Sequence, residues 1–107
     1  MEKVYNKLVR DKIPEIIVGN GGEPFTRILD EDEYKVELET KLMEEYNEVL
    51  LATSEERVEE LADMLEVITA LAKLEGKSLE DVIEVKNKKC DKRGGFEKRI
   101  FLEKVEE

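Results

Sequence analysis

Apolar side chains recur every three or four residues through two long stretches of this 107-residue chain, and this period constrains its fold more than any other feature. The stretches cover about 30–52 and 53–75, and each has the spacing of an amphipathic α-helix. The connection between them is short, which predicts that the two helices pack as antiparallel neighbours. The apolar positions of the first stretch are Leu38, Leu42, Tyr46, Val49 and Leu50. Those of the second, which we expect to face inward, are Leu61, Met64, Leu65, Ile68, Leu71 and Ala72.

Local signals mark the ends of both helices. Asp30 and Glu33 have capping-box spacing, in which the first side chain accepts from a backbone N–H and the second reaches back to the cap. Thr53 and Glu56 repeat that spacing at the start of the second helix. Gly76 follows the second apolar stretch and predicts its C-terminal end.

Two further helices complete the expected fold. Pro14 suits the first turn of a short helix over 13–18. Ser78 caps a third main helix over about 79–92, which a Gly-Gly pair ends, and 96–105 forms either a strand or an extended tail. The whole chain, residues 1–107, is therefore predicted to be one all-α domain: an antiparallel helix bundle of three main helices plus a short N-terminal helix.

The composition excludes several kinds of chemistry. The chain has no histidine, which removes Ser-His-Asp and Cys-His catalysis and zinc sites built on imidazole. The lone cysteine, Cys90, forms no intrachain disulfide, which suits a reducing cytoplasm. The net charge of −10 disfavours binding to nucleic acid polymers, and no apolar run is long enough for a membrane span. We therefore expect a cytoplasmic protein that binds neither nucleic acid polymers nor membranes.

The charge is distributed unevenly along the chain. Residues 30–66 carry 15 acidic and 3 basic side chains, whereas residues 86–104 carry 8 basic and 3 acidic ones. The first twelve residues are also slightly basic. An acidic centre between two basic ends is able to bind a metal ion with a polyanion around it. The alternative is that these charges form ordinary solvated helix faces.

Two pairs of carboxylates stand out within the acidic centre. Glu45 and Glu48 are three residues apart on the first long helix, and Glu60 and Asp63 repeat the spacing on the second, so each pair shares a helix face. A helical wheel places Glu45, Glu60 and Asp63 within or beside the apolar stripes. Carboxylates crowded in a partly apolar groove favour a hard cation, Mg²⁺ first and Mn²⁺ second.

A basic segment follows near the end of the third main helix. Asn87, Lys89 and Arg93 lie there, and such side chains bind phosphates, sugars or bases. The alternative is that basic residues simply favour a helix C-terminus.

These motifs together resemble the MazG-like superfamily of all-α nucleoside triphosphate pyrophosphohydrolases. Residues 42–48 (LMEEYNE) and 60–63 (ELAD) resemble its E-x-x-E and E-x-x-D signature, and Asn87-x-Lys89-x-x-x-Arg93 resembles its nucleotide-contacting segment. The opening residues 5–14 (YNKLVRDKIP) resemble the leader of short, single-domain members.

The resemblance implies a specific activity and a specific assembly. Members cleave a nucleoside triphosphate between the α and β phosphates, releasing the monophosphate and pyrophosphate, with Mg²⁺ on the acidic motifs. They assemble as homodimers or homotetramers, which would complete the bundle. The alternatives that remain are a phosphoribosyl-ATP pyrophosphohydrolase of histidine biosynthesis, a house-cleaning enzyme for noncanonical nucleotides, and a non-enzymatic helical interaction module.

The resemblance also implies a role for each motif residue. The metal ligands would be Glu45, Glu48, Glu60 and Asp63. The attacking water would be oriented by one of these carboxylates, such as Glu45, or by the neighbouring Glu44. The substrate would be bound by Asn87, Lys89 and Arg93, with Lys7 and Arg10 as further phosphate ligands.

Overall fold

The computed structural model describes residues 1–106, and all of its regular structure is helical. Helix α1 spans Ile13–Gly19, α2 spans Glu31–Leu51, α3 spans Ser54–Leu74 and α4 spans Leu79–Arg93. The helices α2 and α3 pack along each other, and α4 packs against α3. The predicted all-α bundle of three main helices and a short N-terminal one is therefore confirmed.

The helix starts follow the capping signals, with one exception. The carboxylate of Asp30 accepts from the backbone N–H of Glu33 at 2.8 Å, and the Glu33 side chain accepts from the N–H of Asp30, so this capping box forms. Ser78 and Asp81 form a second one at α4. The predicted box at Thr53 is wrong, because the N–H of Glu56 donates to the backbone carbonyl of Thr53 instead of to its hydroxyl.

The C-terminal segment that follows α4 makes a turn at 96–99, where the N–H of Arg99 donates to the carbonyl of Phe96, and forms no strand within the described residues. Its apolar side chains lie at the surface, where Ile100, Phe101 and Leu102 are all exposed. Of the two predicted alternatives, the strand is absent from the described residues, and the segment is an irregular tail.

The core of the single chain is small. Only Leu38, Val67 and Ala72 are buried apolar residues among those described. Leu61 and Leu65 were predicted to face inward, but about half of each residue is exposed, because α4 packs on α3 alone and leaves this face without a neighbour. The radius of gyration is 18.4 Å, compared with about 13 Å for a compact domain of this length.

The Asp30 capping box generates a prediction about α2. We expect Asp30→Ala to lower the free energy of unfolding by about 1 kcal/mol, because the N–H of Glu33 loses its acceptor. Asn is as good a cap as Asp, so Asp30→Asn is the matched control and should stay within about a few tenths of a kcal/mol of wild type. Urea unfolding followed by circular dichroism measures both, and equal losses would show that the cap is not what stabilises the helix.

Candidate metal centre

The α2–α3 pair brings three carboxylates from two helices into one cluster. Glu45 of α2 and Glu60 and Asp63 of α3 each offer one oxygen, and these oxygens all lie within 4.8 Å of one another. Glu45 is buried, whereas Glu60 and Asp63 are half-buried. We call these three residues the acidic cluster. Three of the four predicted metal ligands are thus neighbours in space.

The fourth predicted ligand, Glu48, lies at the margin of the acidic cluster. Its side chain is exposed and is not one of the three that offer mutually close oxygens. It is near enough for its negative charge to act on Glu60.

Lys41 supplies positive charge next to the buried member of the acidic cluster. Its Nζ lies 3.6 Å from Oε1 of Glu45 and 3.5 Å from Oε1 of Glu44, one turn further along α2. Sequence reasoning missed this residue. The signal was present, because side chains three and four residues apart on a helix are neighbours.

The N-terminal arm, residues 5–12, also contacts the acidic helices. Nζ of Lys7 lies 3.4 Å from Oε1 of Glu44. Nη2 of Arg10 donates to Oδ1 of Asp63 at 2.7 Å, and its Nη1 lies 3.9 Å from Oε1 of Glu66. The structure therefore brings Lys7 and Arg10, both predicted phosphate ligands, to the edge of the acidic cluster.

The other predicted substrate ligands form no hydrogen bond or ion pair with the acidic cluster in residues 1–106. Asn87, Lys89 and Arg93 are exposed on α4, which packs against α3 and not against α2. In the described part of the chain, no ion pair joins α4 to the acidic cluster. Lys89 and Arg93 instead line a groove of about 420 Å³ on α4. Arg93 also lines a cavity of about 310 Å³ formed with residues 94–100.

The electrostatics of the acidic cluster are most visible at Glu60. Partial burial raises the pKa of its carboxyl above the ordinary value, and the negative charges of Asp63, Glu48 and Glu45 raise it further. Both causes disfavour the ionised form. A positive charge in the cluster would remove part of this penalty.

The donor set of the acidic cluster fits a hard divalent cation. All three donors are carboxylate oxygens, which are the ligands that Mg²⁺, Mn²⁺ and Ca²⁺ prefer. Mg²⁺ typically uses one or two carboxylates and fills its remaining positions with water and phosphate oxygens.

Comparison with known proteins assigns neither a family nor an activity. The chain matches no family model, and no solved structure matches it. Over 46 residues it is 48% identical to an uncharacterized protein of Mycolicibacterium smegmatis. That stretch covers 43% of this chain and 47% of the relative, so the match spans less than half of either.

The raised pKa of Glu60 generates a prediction about stability in metal-free buffer. A carboxyl with a raised pKa in the folded state contributes stability below its ordinary pKa and loses that contribution as the pH rises through the raised value. We therefore expect Glu60→Gln to unfold at higher urea concentration than wild type at pH 7, with a difference that vanishes below the ordinary value of 4.5.

The exposed neighbour Glu59 on the same helix provides the matched control, Glu59→Gln. This variant should show a smaller difference, because its side chain lies outside the acidic cluster. A Glu60→Gln variant that is less stable than wild type at pH 7 would contradict the repulsion within the cluster.

Proposed function

We propose that this protein is a Mg²⁺-dependent nucleoside triphosphate pyrophosphohydrolase, which cleaves between the α and β phosphates and releases a nucleoside monophosphate and pyrophosphate. The observation that carries the proposal is the convergence of Glu45, Glu60 and Asp63, whose oxygens lie within 4.8 Å of one another. The resemblance of the same motifs to the MazG-like superfamily names the reaction. A cytoplasmic location fits the lone exposed Cys90.

The carboxylates would have two roles, metal binding and orientation of the attacking water. Glu45, Glu60 and Asp63 would hold the ion, with Glu48 at the margin as a further ligand. Mg²⁺, when bound, supplies the positive charge that neutralises a polyphosphate and Mn²⁺ is able to replace it. Glu44 or Glu45 would accept a hydrogen bond from the attacking water and orient it toward the α phosphorus. The water oxygen would bond to that phosphorus as the bond to the bridging oxygen breaks, the proton lost by the water would pass to the carboxylate or to solvent, and pyrophosphate would leave.

Basic side chains would stabilise the charge that develops on the leaving pyrophosphate. Lys89 and Arg93 are the proposed phosphate ligands on α4, and Asn87 would contact the nucleotide. Since α4 makes no contact with α2 in residues 1–106, these residues would reach the acidic cluster of a second copy. A homodimer or homotetramer would also cover Leu61, Leu65 and other exposed apolar residues.

The substrate within the nucleotide class has several candidates. House-cleaning of noncanonical nucleoside triphosphates is one, and hydrolysis of phosphoribosyl-ATP in histidine biosynthesis is another. Both need the same cleavage and the same acidic ligands, so a substrate panel separates them.

Pyrophosphate release is the direct test of the reaction. We expect wild type to release pyrophosphate from at least one member of a panel of canonical and modified NTPs and dNTPs plus phosphoribosyl-ATP, only with Mg²⁺ or Mn²⁺. Glu60→Gln should abolish release because it removes a metal ligand, and Glu59→Gln should retain it.

A binding measurement supports the activity assay. Mg²⁺ should raise the melting temperature of wild type through preferential binding to the folded state, and this shift should disappear in Glu60→Gln. No pyrophosphate release from any nucleotide, together with no effect of Mg²⁺ on melting, would contradict the enzyme. The exposed apolar faces would then favour a non-enzymatic helical interaction module.

Subunit mixing tests whether α4 acts on a second copy. Glu60→Gln and Arg93→Gln should each be inactive alone, and a mixture should recover activity because mixed dimers contain one site with both residues intact. For a dimer that exchanges subunits freely, about a quarter of wild-type activity is expected. A mixture of Glu60→Gln and Asp63→Asn is the control and should stay inactive, because both residues lie on α3. No recovery in the first mixture would indicate that each α4 acts on the acidic cluster of its own chain.

A further inference from the structure

The N-terminal arm places a positive charge on a member of the acidic cluster. Arg10 donates to Oδ1 of Asp63 at 2.7 Å, which is the short distance typical of a charge-assisted hydrogen bond. The two residues are 53 positions apart in the sequence, so the contact is tertiary. A second contact, between Lys7 and Glu44, fastens the same arm to α2.

The ion pairs, the half-buried side chain of Leu8 and one backbone hydrogen bond, from the N–H of Ile13 to the carbonyl of Arg10, connect residues 5–10 to the rest of the chain. Residues 5–10 of the arm form no helix or strand, and the only backbone hydrogen bond described for them is the one that the carbonyl of Arg10 accepts from Ile13. Helix packing in the described chain joins α2 to α3 and α3 to α4 and leaves α1 out. The side chains of Arg10 and Asp63 are each about half exposed, at 55% and 43%. Ion pairs with this exposure are weak and exchange readily for another cation.

Asp63 does not bind Arg10 and a divalent cation equally well at the same time. A guanidinium hydrogen-bonded to a metal ligand lies a few ångströms from the metal position, and two positive charges at that separation repel. The guanidinium also draws electron density from the carboxylate that the metal needs. The two cations therefore compete for one carboxylate.

We propose that Arg10 is the internal counter-cation of the acidic cluster, and that a divalent cation displaces it and releases the arm. The proposal rests on the metal site described under the proposed function. In the metal-free chain Arg10 offsets part of the repulsion among Glu45, Glu60 and Asp63. After exchange its guanidinium is free at the edge of the site.

Metal binding with and without Arg10 tests the competition. The free Mn²⁺ signal in electron paramagnetic resonance gives the Kd of the full chain for Mn²⁺ alone, in the absence of nucleotide. We expect Arg10→Gln to bind Mn²⁺ about three- to fivefold more tightly than wild type, because a competing charge of surface-pair strength is removed. The difference should shrink as the salt concentration rises.

Arg27→Gln is the matched control. Arg27 pairs with Glu33 at 2.8 Å at the start of α2, its side chain is also exposed, and neither residue belongs to the acidic cluster. The substitution removes the same charge from the chain and should leave the Kd for Mn²⁺ within about twofold of wild type, because exposed charges separated by more than a Debye length are screened.

Trypsin cleavage reports the release of the arm. Trypsin cuts after Lys7 and Arg10, and mass spectrometry identifies these cuts in the full chain. We expect saturating Mn²⁺ to accelerate both cuts in wild type. Glu60→Gln should show little acceleration, because it binds the ion weakly and keeps the pair between Arg10 and Asp63.

The outcomes separate this proposal from the proposed function. Equal binding of Mn²⁺ by wild type and Arg10→Gln would overturn the exchange but not the metal site. The same conclusion would follow if bound Mn²⁺ did not change the rate of cleavage in the arm. Weaker binding by Arg10→Gln would also overturn it, since Arg10 would then support the site. Absence of Mn²⁺ binding in every variant would overturn the metal site and the exchange together.

Discussion

Electrostatic repulsion between facing helices is the constraint on which the rest of this structure depends. The packing of α2 on α3 confines three carboxylates to oxygen separations of at most 4.8 Å, and Glu45 is buried among them. Carboxylates at this spacing are destabilising unless positive charge offsets them. Lys41, Lys7 and Arg10 all lie against this part of the helix pair. Positive charge from α2 and from the N-terminal arm thus lies next to the carboxylates of these two helices.

The same helix pair explains why the single chain has so small a core. Two helices bury only the stripe along their contact, and here that stripe contains Leu38, Val67 and Ala72. The fourth helix packs on α3 but leaves Leu61 and Leu65 exposed, and the molecule is 62 Å long in its longest dimension. Exposed apolar residues of this kind would be covered if the chain associated with a second copy. The proposed homo-oligomer would therefore supply both the missing packing and the basic residues of α4.

Helix boundaries could be predicted from the sequence because local interactions decide them. Asp30 with Glu33 and Ser78 with its following turn have their bonding partners within three residues, and Pro14 lies at the first turn of α1. Thr53 shows the limit of such signals. Its backbone carbonyl and its hydroxyl compete for the same N–H of Glu56, and a sequence pattern does not rank the two acceptors.

The amino-acid sequence alone determined the all-helical class, the helix boundaries and the clustering of Glu45, Glu60 and Asp63, because helical period and a short connection place these residues on facing turns. Only the tertiary structure decided that Glu48 lies at the margin, that α4 stays away from α2, and that Arg10 binds Asp63. These features depend on the crossing of helices and on the path of an irregular arm, and neither leaves a periodic signal. Arg10 and Asp63 are 53 positions apart, so no local pattern in the sequence relates them.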